Sequence, residues 1–189
     1  MKIDILPVGF LETNCYIVSD NGNRAAVIDP GDESERILSF LRKADLKCEI
    51  ILLTHGHFDH VGAVTDIINV TSAKLAMNGI ERGAVQKRID IEAEDGVIIK
   101  AGDIEFTPIA APGHSPGSMC YLAGDTLFSG DTLFFESIGR TDLPGGNHSS
   151  MLETLKKLSR LNYTDLRVLP GHFRETSLAY ERKNNPYLK

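Results

Sequence analysis

Cysteine is scarce in this chain, positive charge is outweighed, and no long hydrophobic run occurs. Each shortage removes a class of protein. Cys15, Cys48 and Cys120 are odd in number, form no CxxC pair and sit in apolar, strand-like surroundings, which marks them as buried free thiols and not a disulfide framework. The formal net charge is −6 at pH 7 and the Lys and Arg residues are scattered, so no basic stripe exists to meet a nucleic acid. No apolar run reaches the roughly 18 residues of a membrane span. Met1-Lys2-Ile3-Asp4 shows no signal-peptide core. The expectation is a cytoplasmic protein with neither a membrane nor a nucleic-acid partner. The remaining composition, 42 % hydrophobic and 24 % charged, is that of an ordinary globular protein. A chain of 189 residues suffices for one well-buried core, and 1–189 is expected to be a single domain.

Periodicity divides the chain into two β-rich blocks, each followed by helices. Ile3 to Val8, Asn14 to Val18 and Arg24 to Asp29 alternate as strands between turns such as Asp20-Asn21-Gly22-Asn23. Asp32 with Glu35 has the spacing of a capping box ahead of a helix striped by Ile37, Leu38 and Leu41. Glu49 to Thr54 is a continuous apolar run, the pattern of a strand buried on both faces. A helix through Val61, Val64, Ile67 and Ile68, a strand Lys74 to Met77 and a short helix Ile80 to Arg88 follow. The second block is read as strands Val97 to Lys100, Ile104 to Ala110, Ser118 to Ala123 and Thr126 to Ser129. A helix Ser149 to Leu161, capped by Asn147 and burying Leu152, Leu155 and Leu158, comes next. Strand Arg167 to Leu169 and a helix Thr176 to Lys183 close the chain. Two such blocks imply two packed sheets with helices outside.

Histidine is where the sequence becomes specific. The segment His55-Gly56-His57-Phe58-Asp59-His60 follows the apolar run directly. Pro112-Gly113-His114, Ser129-Gly130-Asp131 and Pro170-Gly171-His172 each follow a β-like run of their own. In extended backbone residues i and i+2 point the same way, so His55 and His57 can converge on one ion. Asp59 and His60, at the start of the next helix, can turn toward a second ion. His114, Asp131 and His172 are the donors available to complete both sets. Four ligand-type residues within six need a common cause. His148, by contrast, stands alone and reads as a polar residue at a helix start.

Two divalent cations roughly 3.5–4 Å apart lower the pKa of bound water from 15.7 toward about 7 and polarise a carbonyl together. They bring about +4 of charge, from which Asp59, Asp131 and a bridging hydroxide remove three, leaving residual positive charge where an oxyanion forms. The donors are imidazole and carboxylate without thiolate, a set suited to zinc first, and also to iron or manganese.

These residues resemble the metallo-β-lactamase superfamily, and within it the short bacterial glyoxalase II-like (hydroxyacylglutathione hydrolase-like) proteins. Val27-Ile28-Asp29-Pro30-Gly31 and the tail from Glu181 to Leu188 match the same branch. The resemblance implies an α/β fold, an αββα sandwich of two packed mixed sheets flanked by helices, with two metals at one edge. Carried over by position, His55, His57 and His114 hold one metal, Asp59, His60 and His172 the other, and Asp131 bridges. Asp59 and Asp131 thereby enter the catalytic machinery, Asp29 orients a ligand from behind, and Arg140 contacts an anionic part of the substrate.

Longer members of the branch hold glutathione with a C-terminal helical region, whereas this chain runs only to Lys189, so glutathione itself is not implied. The expected reaction is hydrolysis of a small-molecule thioester, such as a 2-hydroxyacyl-thiol, by a metal-bridging hydroxide attacking the carbonyl. A thiolate leaves without help, its acid having a pKa near 8.5. The alternative is a mononuclear iron dioxygenase acting on persulfides, with His55, His114 and Asp131 as its facial triad. Gly139-Arg140-Thr141-Asp142 resembles both groups. Nothing in the sequence specifies an oligomeric state.

Overall fold

Side-chain alternation along the strands sorts the apolar residues into three layers. In the computed structural model, which describes residues 1–188, β1 (Lys2–Val8), β2 (Thr13–Ser19), β3 (Arg24–Ile28), β4 (Lys47–Leu52), β5 (Lys74–Met77) and β6 (Ile91–Glu92) form one sheet in that spatial order. β1 to β3 are antiparallel neighbours; β3, β4, β5 and β6 run parallel. The second sheet is built from β7 (Ile99–Ala101), β8 (Ile104–Ala110), β9 (Met119–Ala123), β10 (Thr126–Gly130), β13 (Arg167–Pro170) and β14 (Thr176–Ser177). A small hairpin, β11 (Leu133–Phe134) with β12 (Ser137–Ile138), stands apart from both. On β2, Tyr16 and Val18 enter the core between the sheets, while Cys15 and Ile17 face the outer helices. β4 divides likewise, Ile50 and Leu52 inward and Cys48 and Ile51 outward.

Helices α1 (Ser34–Lys43) and α3 (Val64–Thr71) cover the first sheet through Ile37, Leu38, Leu41, Val64 and Ile67. Helices α4 (His148–Ser159) and α5 (Leu178–Asn184) cover the second through Met151, Leu155, Leu158 and Leu178. The expected αββα sandwich is therefore the fold. Among the described residues no helix is long and apolar enough to cross a membrane.

Several local expectations are corrected. The capping box at Asp32 does not form: Glu33, in left-handed conformation, precedes α1 without a side-chain cap, and the Asp32 carboxylate accepts from the Glu33 N–H instead. The helix through Val61 and Ile68 is two pieces, α2 (Phe58–Val61) and α3, parted where Gly62 passes against the Gly31 carbonyl. A Cβ on Gly62 would stand 2.3 Å from that oxygen. Ile80 to Arg88 is not a helix but a 3-10 segment, Gly79–Ala84, started by the Asn78 side chain and followed by β6. Val97 and Ile98 are exposed and precede β7. In α4 the Asn147 cap is present, accepting from Ser150 N–H at 2.9 Å, but the buried stripe runs through Met151, Leu155 and Leu158, leaving Leu152 41 % exposed. Residues 151, 155 and 158 follow helical i, i+4, i+7 spacing, and Leu152 falls off that line.

This register is testable by urea unfolding. Leu155→Ala is expected to cost about 2–5 kcal/mol, a core truncation, whereas Leu152→Ala is expected to stay within about 0.5 kcal/mol.

Candidate metal centre

Strands β8, β10 and β13 point the same way in the second sheet, and β4 delivers its C-terminal end beside theirs from the first. The loops after these four strands carry His114, Asp131, His172 and the His55–His60 segment respectively. All seven expected donors meet there. His55 Nε2 lies 3.1 Å from His57 Nδ1, which lies 2.8 Å from His114 Nε2. On the other side, Asp59 Oδ2 is 3.2 Å from His172 Nε2 and 3.5 Å from His60 Nε2. Asp131 faces both groups: its Oδ2 is 3.4 Å from His114 Nε2 and 3.5 Å from His172 Nε2, and its Oδ1 is 3.5 Å from His60 Nε2.

The outward nitrogens explain why the inward ones are free. His60 Nδ1 is 3.0 Å from Asp29 Oδ2, His114 Nδ1 2.8 Å from the Arg140 carbonyl, and His172 Nδ1 3.2 Å from the Leu11 carbonyl. Thr54 Oγ1 donates to Asp29 Oδ2 at 2.6 Å, so its lone pair receives His55 Nδ1–H at 3.0 Å. Each acceptor fixes the proton on Nδ1 and turns the Nε2 lone pair to the centre. His57 alone presents Nδ1.

The donor set fits metal ions on the structure's own terms. His60 Nε2 and Asp131 Oδ1 are buried without a hydrogen-bond partner, a costly condition unless something else fills the role. One nitrogen, His57 Nδ1, approaches two others, and a shared cation accounts for both approaches. Ligand atoms of His55, His57 and His114 lie within 4.8 Å of one another, as do those of Asp59, His60 and His172. Asp29 also lies near His55 and His60. Its oxygens, however, already accept from Thr54 N–H, Thr54 Oγ1 and His60 Nδ1, which places it behind the ligands.

Electrostatics separate the two halves. Burial, then the charges that neighbouring His60 and His114 would carry, push His55 well below the usual histidine range. Burial and His114 lower His57 as well, so both of these rings favour the neutral form. In the other half burial opposes the charge on His60, but Asp131, Asp29 and Asp59 carry it up to about 9. Burial works against ionised Asp59 too, yet the His172 hydrogen bond and the charge of His60 hold it below the usual carboxylate range. This half attracts positive charge.

Several supporting residues carry no sequence signal strong enough to single them out. Thr13, at the start of β2, donates to Asp59 Oδ2 at 3.0 Å. Asn14 Nδ2 donates to the Pro170 and Phe173 carbonyls, and Tyr16 OH to the Pro170 carbonyl at 2.5 Å, so β2 grips the loop that carries His172. Glu81 Oε1 accepts from Ser115 Oγ and Gly117 N–H, each at 2.7 Å, and braces the loop after His114. Gly171 has a clear local cause: a Cβ there would stand 2.3 Å from Asp131 Oδ1. Arg140 lines the adjoining cavity, its guanidinium engaged with Asp142 at 2.8 Å through both Nε and Nη2. His148 lies outside the cluster, near Thr141 at the start of α4.

Two sheets under flanking helices, with histidines and aspartates gathered at one edge, define a metallo-hydrolase architecture. A profile of the Metallo-beta-lactamase superfamily matches residues 8–172, and the chain belongs to that superfamily. It is 32 % identical to the hydroxyacylglutathione hydrolase GloC of Haemophilus influenzae over 100 % of this chain and 98 % of that one. Among solved structures, the BLEG-1 B3 metallo-beta-lactamase superposes with a TM-score of 0.93 at 32 % identity, covering 99 % of both chains. The di-iron-bound form of TTHA1623 gives 0.88 at 33 % identity, covering 98 % of this chain and 100 % of that one.

Replacing Asp29 by Asn keeps the shape but removes the charge opposite His60 Nδ1. Metal affinity is expected to fall about 10–100-fold, read by chelator competition, with the fold retained by circular dichroism.

Proposed function

We propose that the protein is a binuclear metal-dependent hydrolase of a thioester, for example a 2-hydroxyacyl-thiol. The observation that carries this reading is Asp131, whose two oxygens face His114 on one side and His60 and His172 on the other. His55, His57 and His114 would hold one cation and Asp59, His60 and His172 a second, with Asp131 between. Two divalent cations, when bound, supply Lewis acidity and bring a water near neutral pKa; zinc suits the donors, as do iron and manganese.

The protein's own groups support a hydrolytic course without a covalent intermediate. Burial pushes the thiols of Cys48 and Cys120 up to about 12 and that of Cys15 upward too, so none is a competent nucleophile. Asp59, held by Thr13, and Asp131 are the carboxylates at the floor of the open cavity. Two carboxylates beside five imidazoles leave net positive charge once two divalent ions are in place, which favours an oxyanion at that point. A departing thiolate needs no proton donor. The similarity to GloC supports the thioester class. The carrier thiol remains a small molecule or a small-molecule moiety in this reading.

The test is metal content together with turnover of lactoyl thioesters by freshly purified protein, with a cephalosporin and a persulfide as competing substrates. Two metals per chain and thioester cleavage are expected. Asp131→Asn is expected to lose metal from both positions and more than the roughly 10–100-fold activity that an outer partner costs. One iron per chain with oxygen uptake on the persulfide would overturn the proposal.

A further inference from the structure

The most exposed phenylalanines are not scattered. Phe10, Phe58 and Phe173 are 83 %, 68 % and 75 % exposed, and all three line the cavity whose floor is formed by His57, Asp59, His114, Asp131 and His172. Leu11, Phe134 and Ile138 extend the same wall. Its volume, about 980 Å³, stands at the upper end of small-molecule sites. Single exposed apolar residues are ordinary, but a contiguous apolar rim around a polar floor marks a binding surface.

Phe173 gives the sharpest indication. Its φ of 65° lies in the left-handed region that a bulky L-residue avoids, and its carbonyl is held there by Asn14 Nδ2 at 3.0 Å. The ring meets Phe134 edge-on with centroids 5.6 Å apart and His172 at 6.2 Å, and is otherwise largely exposed. Backbone strain kept for a solvent-facing ring at a site mouth points to a ligand. The cations of the wall are engaged: Arg140 is bidentate to Asp142, and the Arg174 guanidinium lies 3.5 Å from the Phe135 ring centre.

We propose that this rim holds the acyl group of the substrate, and that the group is an extended apolar chain several carbons long. The proposal rests on the thioester reading and deepens it. A carbonyl carbon placed over Asp131 puts one substituent against the walls, and an apolar chain matches exposed aromatic rings that a short, polar 2-hydroxyacyl group does not. Phe10, Phe58 and Phe173 are then the residues that set acyl specificity.

Two series on metal-loaded protein test this. N-acetylcysteamine thioesters from acetyl to octanoyl are expected to show kcat/KM rising about two- to fourfold per added methylene. The matching S-alkyl thioethers, which cannot be cleaved, are expected to bind with a parallel rise in affinity by calorimetry. Phe10→Ser with Phe173→Ser should flatten both series, whereas Val70→Ser, on an exposed face of α3 outside the cavity lining, should not. A flat thioether series for the unaltered chain would overturn the proposal whether or not any variant folds. So would self-association dispersed by Phe10→Ser, which would assign the rim to a second copy. A steep thioether series with no thioester cleaved would sink the hydrolytic reading and leave the apolar rim standing; cleavage with a flat series would do the reverse.

Discussion

Five imidazoles and two carboxylates are brought together at the floor of a cavity, and the centre depends on what holds each ring from behind. A neutral imidazole offers one lone pair, and its direction is decided by the proton on the other nitrogen. Asp29, Thr54 and the carbonyls of Arg140 and Leu11 fix that proton for four of the rings. The ligand loops can therefore be short and free of regular structure while the donors stay aimed. The two sheets supply the rigidity, and the turns after β4, β8, β10 and β13 supply the reach.

The two halves of the centre answer different needs. Burial disfavours the charged form of His55 and His57, so a cation on that side would meet lone pairs. On the side with Asp59, His60 and His172 carboxylates raise the affinity of their surroundings for positive charge. Asp131 lies between the two, its oxygens facing His114 on one side and His60 and His172 on the other. Both halves draw on the loop after β4; His55 and His60 are fully buried, while His57, Asp59, His114, Asp131 and His172 line the cavity.

Much of the site was legible because its ligands are dense in sequence. His55 to His60 announces itself through spacing, and Gly before His114, Asp131 and His172 marks tight turns after strands. The sandwich was legible too, since the continuous apolar run of β4 and the helical stripe of α1 are distinct patterns. What escaped was of another kind. Thr13, Asn14 and Glu81 act through single hydrogen bonds to residues far along the chain, and no local pattern records such a partner. The 3-10 segment at Gly79–Ala84 and the break at Gly62 are imposed by close neighbours, and Leu152 was misplaced because Met151 serves equally well as an apolar helix residue. The aromatic rim was invisible in sequence because Phe10, Phe58 and Phe173 are isolated there and become neighbours only in space.

The grip of β2 on the loop before His172 spans 156 residues of chain between Asn14 and Pro170. Contacts that distant close late, after local structure has formed. During synthesis, the emerging polypeptide holds His55, His57, Asp59 and His60 long before His114, Asp131 and His172 have left the ribosome. The full cluster thus belongs to the finished molecule, and a prematurely terminated product would be released with four of its seven donors and without the three that close it.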